Sequence, residues 1–287
     1  MTIKGLNPGM RSNIDVNGIN DLLGPGGGSK LVARNAEAAI KVETGMKGVK
    51  IMNLMVSGGT EAKNIGIHFV GATDNGMLSN IIGINLHTGV KIEQAKNMQI
   101  VNCWVCELPN SIELIGGENI VVKNCQLGAQ PTGITCKVQE VNKLSFINNQ
   151  VYPDGRENLV LDACNNCVIE GNNFKSYYNG ILVLNGNDNT VNKNIFWLTG
   201  AVQNQLLDHG DDFGIINVKG NNNMVASNSL SCEWAYAGAV TVNAVQGTGN
   251  VFKNCFVDNL ESYRVFLVNA QTEVSNCVSS DKVSIVE

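Results

Sequence analysis

The feature that most constrains the fold is a phrase that recurs along the chain at nearly fixed separation. It consists of an apolar residue, a spacer, Asn, then Asn or Cys, and a further apolar residue, as in IVNCWV and VFKNCF. The phrase is centred on Asn102, Asn124, Asn148, Asn172, Asn194, Asn228, Asn254 and Asn276, at intervals of 22, 24, 24, 22, 34, 26 and 22 residues. Such a period is typical of stacked repeats that contact only their neighbours.

A second phrase lies between successive Asn phrases and reads as a strand. Examples are SIELIGG at 111–117, GILVLNG at 180–186 and GIINVKG at 214–220. We therefore expect two short alternating strands per coil, rich in Val and Ile and separated by turn residues. Abundant Gly, scarce Pro and only 16% charged residues also suit short strands and tight turns. The sequence predicts an all-β fold, a single-stranded right-handed parallel β-helix.

The recurring Asn has a physical reason at a bend between strands. Its amide can bond to the coils above and below, and Asn tolerates left-handed dihedral angles. Four cysteines, Cys103, Cys125, Cys255 and Cys277, follow it directly, and we expect them to be stacked core thiols. For Cys164 and Cys167, burial is favoured over a metal or redox site, since no second Cys pair and no βαβ context accompany them.

The domain prediction is one β-helix over residues 1–287. Residues 1–30, which contain GPGGG, are expected to lead into the first coil and partly to cap it. Residues 199–213 form the largest departure from the period, an inserted acidic loop. Insertions at one corner of a solenoid leave the stack intact and often carry function.

Candidate site residues cluster in and around that loop. It contains Asp208, His209, Asp211 and Asp212, and Trp197 precedes it. Three carboxylates beside a histidine suit acid and base chemistry, cation binding or contacts to sugar hydroxyls, whereas the alternative is a solvated loop with Asp as turn former. Further polar and aromatic candidates are Glu113, Glu140, Asp154, Arg156, Glu157, Tyr177, Tyr178, Glu233, Trp234 and Tyr236; any single one is equally well explained as a solubilising residue.

Charge and hydropathy exclude several function classes. The net charge of −5, without a Lys/Arg cluster, argues against a nucleic-acid partner. No apolar run is long enough for a membrane span, and the first residues lack the apolar core of a signal peptide. With nine cysteines, an odd number, these features predict a cytoplasmic protein; secretion would require that the N-terminus had been trimmed. Serine-hydrolase and nucleotide-binding motifs are absent from the sequence.

Several segments in order resemble the β-helical inulin fructotransferases that form difructose anhydride III and the related difructose anhydride hydrolases. The resemblance runs from about residue 5 to 260. It is carried by GLNPGM…DLLGPGGGS, NSIELIGGENIVVKNCQLGAQPTGIT, YPDGR, CNNCVIEGNNF, YNGILVLNG and HGDDFGIINVKGNNNMVASNSL. The resemblance implies a homotrimer with clefts between subunits, acid and base catalysis on a fructan or difructose anhydride, and neither metal nor organic cofactor.

Two positions depart from the family pattern. Thr132, in Gln130-Pro131-Thr132-Gly133-Ile134, stands where the resemblance places a catalytic Asp, and Asn142 falls on or beside the place of a catalytic Glu. Neither side chain exchanges protons as a carboxylic acid does. Glu140 lies close enough to substitute if the strand register shifts.

The resemblance does carry Glu113, Arg156, Asp211, Asp212 and Gly214 onto matching positions. The leading hypothesis is therefore a diverged glycan lyase, fructotransferase or glycoside hydrolase. Its acid and base would be drawn from Glu113, Glu140, Asp211 and Asp212, and its substrate contacts from Thr132, Asn142, Arg156, Tyr177, Trp197, Asp208 and His209. The alternatives are a non-catalytic carbohydrate-binding homologue and an isomerase or cyclase acting on another cyclic acetal.

Overall fold

The computed structural model describes residues 1–3, 15–17, 29–33, 36–58, 64–199, 213–232, 240–259, 264–278 and 283–286. Within these residues every regular element is a β-strand, paired in parallel with a strand of the neighbouring coil. The strands are β1 (Thr2–Ile3), β2 (Asp15–Asn17), β3 (Lys30–Ala33), β4 (Ala38–Val42), β5 (Lys50–Gly58), β6 (Ile65–Phe69), β7 (Thr73–Asp74), β8 (Met77–Ile84), β9 (Thr88–Val101), β10 (Trp104–Leu108), β11 (Asn110–Lys123), β12 (Gln126–Ala129), β13 (Ile134–Ile147), β14 (Gln150–Val151), β15 (Glu157–Asp162), β16 (Val168–Glu170), β17 (Asn173–Ser176), β18 (Leu182–Asn185), β19 (Thr190–Asn192), β20 (Ile195–Leu198), β21 (Ile216–Val218), β22 (Met224–Ala226), β23 (Ser229–Cys232), β24 (Val240–Ala244), β25 (Val251–Lys253), β26 (Phe256–Asn259), β27 (Arg264–Asn269), β28 (Glu273–Ser275) and β29 (Val283–Val286).

The parallel pairings arrange these strands in three faces. Face A contains β4, β6, the first halves of β9, β11 and β13, then β15, β18, β21, β24 and β27. Face B contains the last parts of β9, β11 and β13, then β16, β19, β22, β25 and β28. Face C contains the last parts of β5 and β8, then β10, β12, β14, β17, β20, β23 and β26.

Each coil therefore has three strands, and the prediction of two was wrong. The Asn phrase holds a face B strand, a bend and a face C strand, so one sequence phrase spans two faces. The bend is a single residue with positive φ, for example Asn102 (55°), Asn124 (54°) and Asn148 (52°). One residue in the left-handed region turns the chain sharply without interrupting the repeat. The upstream positions Asn53 and Asn80 adopt the same conformation.

At three coils the bend lies one residue earlier than the phrase suggested. Gly171, Lys193 and Ser227 take the positive φ, while the following Asn172, Asn194 and Asn228 are buried. The buried amide forms several hydrogen bonds inside the solenoid, whereas the exposed bend accepts other residue types at small cost.

A buried asparagine ladder runs along this B–C corner. The Asn194 Nδ2 donates to Ile169 O and to Asn228 Oδ1, both at 2.9–3.0 Å. The Asn194 Oδ1 accepts from the backbone and side-chain amides of Asn172. The four cysteines predicted to be core thiols are confirmed as buried, and they belong to this ladder. Cys103 and Cys125 lie in the coils before Asn149, whereas Cys255 and Cys277 lie in the coils after Asn228.

A second buried ladder runs along the A–B corner through Cys167, Asn189, Asn223 and Asn250. The backbone N–H groups of Cys167, Asn189 and Asn223 each donate to the Asn side-chain oxygen of the next coil at 2.8–3.1 Å. Cys164 and Cys167 are both buried, as predicted for the C-x-x-C pair. Between the ladders, apolar side chains fill the interior, and the Phe174 ring stacks on Phe196 at 5.0 Å.

The described parts of residues 1–30 lie against the first coil as further parallel strands. Thr2–Ile3 pairs with β4 on face A, and Asp15–Asn17 pairs with β5 on face B. In the described part of the chain, no helix has the length and apolar character needed to cross a bilayer.

Candidate functional site

The turns that lead from face C to face A carry three of the predicted site residues, Thr132, Arg156 and Tyr177. Thr132 is exposed in the turn between β12 and β13, and Arg156 lies in the next turn along the solenoid. The Arg156 backbone N–H donates to Gly133 O at 2.9 Å, so the structure brings these two turns together. Tyr177 is half-buried one coil further, where its N–H donates to Pro153 O.

A cleft of about 260 Å³ lies on the outer wall beside these turns. It is lined by Trp104, Cys106, Glu107, Gly128, Ala129, Tyr152 and Asp154. Three successive coils build it, because the lining residues come from β10, from β12 and from the turn after β14. The cleft therefore combines two aromatic rings with two carboxylates.

The Tyr152 ring lies over Gly128, which leaves room for it. A Cβ atom added at Gly128 would lie only 3.0 Å from the Tyr152 Cβ and 3.7 Å from the Cys106 Sγ. The Tyr152 hydroxyl donates a hydrogen bond to Gln126 Oε1 at 3.0 Å. Packing at one end and this hydrogen bond at the other fix the ring as one wall of the cleft.

The carboxylates give the cleft a negative potential. Glu107 and Asp154 are both exposed, and Glu107 holds a positive φ of 63° at the end of β10. Burial raises the pKa of the Cys106 thiol to about 12, with further contributions from the negative charges of Glu107 and Asp154. The thiol is therefore protonated at neutral pH and unsuited to act as a nucleophile.

Glu157 begins β15 three residues after Asp154, and its side chain is only 16% exposed. Burial raises the pKa of this carboxyl above its ordinary value, although the charge of Arg156 opposes the shift. The Arg156 Nε lies 4.0 Å from Glu157 Oε1. A half-buried carboxyl that retains its proton to higher pH is suited to proton donation.

The other predicted acids lie away from this corner. Glu113 is half-buried in the middle of the outer side of face A, between its register neighbours Lys91 and Lys137. Lys91 also pairs with Glu93 at 3.1 Å, so Glu113 belongs to a row of charged side chains.

Glu140 and Asn142 lie at the A–B corner, on the far side of face A from Thr132. Glu140 is exposed with a φ of 54°, and Asn142 accepts a hydrogen bond from Asn166 Nδ2 at 2.9 Å. The face A part of β13, residues 134–139, separates them from Thr132 by about 20 Å of extended chain. The structure thus does not bring Thr132 together with Glu140 or Asn142.

Among the aromatic candidates, Trp197 is half-buried on β20, with the Lys175 Nζ 4.8 Å from its ring centroid. Tyr178 is buried in the interior and serves the core. Asp208, His209, Asp211 and Asp212 lie outside the described residues, as do Glu233, Trp234 and Tyr236. Within the described part, no three His, Cys, Asp or Glu side chains gather as a metal site would require.

Sequence reasoning missed Trp104, Glu107 and Tyr152 as site residues. The sequence does indicate that two of these side chains point outward. Trp104 directly follows the inward Cys103 of an Asn phrase, and Tyr152 is the first residue of the YPDGR turn. That these side chains face each other depends on the register between coils, which the sequence does not state.

Comparison with protein-family models identifies one described as "Right handed beta helix region", which matches residues 132–285, more than half of the chain. No curated protein matches the chain significantly.

Solved structures with the same architecture include DFA-IIIase from Arthrobacter chlorophenolicus A6. In complex with GF2, it has 20% identity and a TM-score of 0.80, covering 96% of this chain and 82% of that chain. The same enzyme without its lid has 22% identity and a TM-score of 0.76, covering 88% of this chain and 69% of that chain. Its complex with DFA-III has 20% identity and a TM-score of 0.74, covering 88% of this chain and 70% of that chain. This likeness and the family model confirm the predicted right-handed parallel β-helix.

Proposed function

This chain belongs to the right-handed β-helix family, and we propose that it is a carbohydrate-active member that binds and converts a fructan or difructose-type glycan in the cleft beside Trp104. The observation that carries the proposal is the pairing of two aromatic rings with two carboxylates in one cleft. Sugar rings offer apolar C–H faces for stacking and hydroxyls for hydrogen bonds to carboxylates. The motif resemblance to inulin fructotransferases supports the choice of glycan.

Glu157 and Asp154 are the proposed acid and base. Burial raises the pKa of Glu157, which favours its acid form, and in this proposal the carboxyl donates its proton to the glycosidic oxygen as the C–O bond breaks. Asp154 accepts the proton of the attacking hydroxyl, which belongs either to water or to a neighbouring sugar residue. The first case is hydrolysis and the second is fructosyl transfer.

The acidic loop is a proposed second contributor. β20 ends on face C and β21 begins on face A, so residues 199–215 connect the same two faces as the turns around the cleft. Asp211 and Asp212 are the carboxylates of that loop that the resemblance matches. A homotrimer with the cleft at a subunit interface also remains part of the proposal, and sedimentation velocity tests it directly.

The test is turnover of inulin, short fructo-oligosaccharides and cyclic difructoses, with products identified by mass spectrometry. Asp154→Asn and Asp212→Asn should each reduce turnover, and Asp188→Asn is the matched control. Asp188 is exposed at the A–B corner with a φ of 58°, which Asn tolerates. If the wild-type protein leaves every glycan unchanged, the enzymatic proposal fails.

A non-catalytic glycan-binding protein is the second candidate. It is favoured by Thr132, exposed in the turn where the resemblance places an acid. Calorimetry separates the two functions, because a binding protein gives saturable heat with a glycan that is recovered unchanged.

A further inference from the structure

We infer that Cys255 and Cys277 form a reversible disulfide when a hydroperoxide reaches the C-terminal end of the solenoid, and that this crosslink holds the last coil against the one before it. Both cysteines are free and buried in the structure. They lie at the B–C corner, several coils beyond the strands that build the cleft. The modification is therefore separate from the proposed glycan chemistry.

Backbone hydrogen bonds on both sides hold the two cysteines opposite each other. Before them, the Asn254 N–H donates to Ser275 O at 3.1 Å. After them, the Val278 N–H donates to Cys255 O at 3.0 Å. Neighbouring coils lie about 4.8 Å apart, which is within the Cα separation of about 4.4–6.8 Å that a disulfide requires. The Cys255 N–H also donates to the Cys277 Sγ at 3.4 Å, so this sulfur points towards the neighbouring cysteine.

The same contacts favour the thiolate of Cys277, which is the reactive form of the side chain. Hydrogen bonds from the Cys255 thiol and, less strongly, from its backbone N–H lower the pKa of Cys277, and burial opposes them. The pKa of Cys255 is raised by its bond to the Cys277 side chain and by burial. One cysteine is therefore suited to attack a peroxide, and the other to react with the product.

The reaction takes place in two steps. The Cys277 thiolate attacks one peroxide oxygen and the O–O bond breaks; the leaving oxygen takes up a proton and departs as water or an alcohol, which leaves a sulfenic acid at Cys277. The Cys255 sulfur then attacks the Cys277 sulfur, the S–O bond breaks, and the hydroxide departs as water with the Cys255 proton. The peroxide gains two electrons and each sulfur loses one. A thiol reductant reverses the crosslink by exchange.

Position in the stack distinguishes this pair from Cys103 and Cys125, which stack at the same corner. Coils lie on both sides of that earlier pair, because β8 pairs with β10 and β14 pairs with β12. Within the described residues, no strand of face B or face C follows the coil of Cys277. A terminal coil opens at a lower free energy than a coil inside the stack, so a peroxide reaches the last pair first.

The crosslink has a structural consequence for the end of the core. It joins residues 22 apart in sequence and so ties the last coil to its neighbour. The register partner of Phe252 in the last coil is Val274, and Phe252 is fully buried. Separation of the last coil would expose this ring, whereas the oxidised protein keeps it covered.

The test is incubation of the folded protein with hydrogen peroxide at neutral pH, followed by alkylation of the remaining thiols and peptide mapping by mass spectrometry. We expect one intramolecular crosslink between Cys255 and Cys277, with a mass loss of about 2 Da that dithiothreitol reverses. Hydrogen exchange at β25 and β28 should slow about tenfold in the oxidised protein, with β11 unchanged. Cys103 and Cys125 are the internal control and should remain reduced.

Cys255→Ser should leave Cys277 able to attack the peroxide, so dimedone captures its sulfenic acid and no crosslink forms. Cys277→Ser should abolish both products. Cys125→Ser is the matched control and should still form the crosslink. The inference is overturned if peroxide leaves Cys255 and Cys277 reduced in the wild type, oxidises Cys103 and Cys125 equally fast, or gives crosslinks only between chains.

Discussion

At the A–B and B–C corners, coil after coil repeats the same bend, whereas the turns from face C to face A differ in length. Those turns range from one residue, Pro109, to seventeen, residues 199–215. The corners are tied by buried amides that bond to both neighbouring coils. Two of the described C–A turns, those with Thr132 and Asp154, present exposed residues, and the second of them lines the cleft. Stability and ligand chemistry are therefore assigned to different edges of the same coil, so variation in one edge leaves the other intact.

The largest expected effect lies at the C–A edge. Glu157→Gln should reduce turnover of the responsive glycan by about 10²–10⁴-fold, or ~3–5 kcal/mol in the barrier, because an amide cannot donate the proton. The melting temperature should be nearly unchanged. In the wild type, activity should decline as pH rises through the raised pKa of Glu157, since the acid form is then lost.

Glu118→Gln is the matched control for this variant, because Glu118 lies on the outer surface in an exposed pair with Lys143. A Glu157→Gln variant with full activity and an unchanged pH profile would remove Glu157 from the mechanism. Turnover measured across pH, beside thermal melting of each variant, provides the check.

The next largest effect is expected at the B–C corner, where a substitution should lower the stability of the protein and leave its glycan affinity unchanged. Asn194→Ala deletes the side chain that bonds to Ile169 O, Asn228 and Asn172, so Ile169 O and the Asn172 backbone N–H lose these buried hydrogen bonds. The Asn228 Oδ1 keeps the bond from the Asn194 backbone N–H, and the Asn172 Nδ2 keeps its bond to Phe146 O. Each group that loses its partner costs about 1–3 kcal/mol, so we expect the free energy of unfolding to fall by ~3 kcal/mol or more. Glycan affinity of the folded fraction should be unchanged.

Urea denaturation of Asn194→Ala and Asn192→Ala measures this difference. Asn192 lies two residues earlier on β19, points outward and is only half-buried, so its replacement should be nearly neutral. Equal destabilisation by the two variants would contradict the separate role of the buried ladder.

A smaller effect is expected where packing shapes the cleft. Gly128→Ala places a Cβ 3.0 Å from that of Tyr152, so the Tyr152 Cβ must shift by a few tenths of an ångström and carry its ring with it. Displacing this wall should weaken glycan binding about tenfold, ~1.4 kcal/mol, with little change in stability. Gly83→Ala is the control, since its Cβ would lie 3.3 Å from the interior Val105 side chain. Calorimetry with one glycan shows whether the wall matters.

The extent to which sequence predicted the structure follows the same division. The sequence predicted the period, the parallel coils and the burial of Cys103 and Cys125, because every coil needs a small or apolar side chain at the same inward positions. The bend at Lys193 was not predicted, since the phrase is centred on Asn194, whereas the positive φ lies at the residue before it. In Asn148-Asn149 the bend and the buried position are both Asn, so the phrase alone does not tell which of the two positions its asparagine occupies.

The cleft was less readable than the coils. Asp154 and Arg156 were recognised as turn residues, but Trp104 and Tyr152 are 48 residues apart and line one cleft only because three successive coils are in register. The expectation that Glu140 stands in for a missing acid relied on proximity along the chain to Asn142. A strand of face A lies between that corner and Thr132, so distance along the chain is a poor guide to distance across a coil.

The smallest predicted effect uses Cys106 to report the potential of the cleft. With its pKa raised to about 12, the thiol should resist iodoacetamide at pH 8, and Glu107→Gln should speed its modification severalfold by lowering that pKa. Peptide mapping by mass spectrometry measures the rate, with Glu118→Gln as the control.

The stability that Cys106 contributes is fully present below the ordinary thiol pKa of about 8.5 and is lost as pH rises towards 12. Equal modification rates in the wild type and Glu107→Gln would mean that Glu107 does not contribute to the charge of the cleft, leaving Asp154 as its main source.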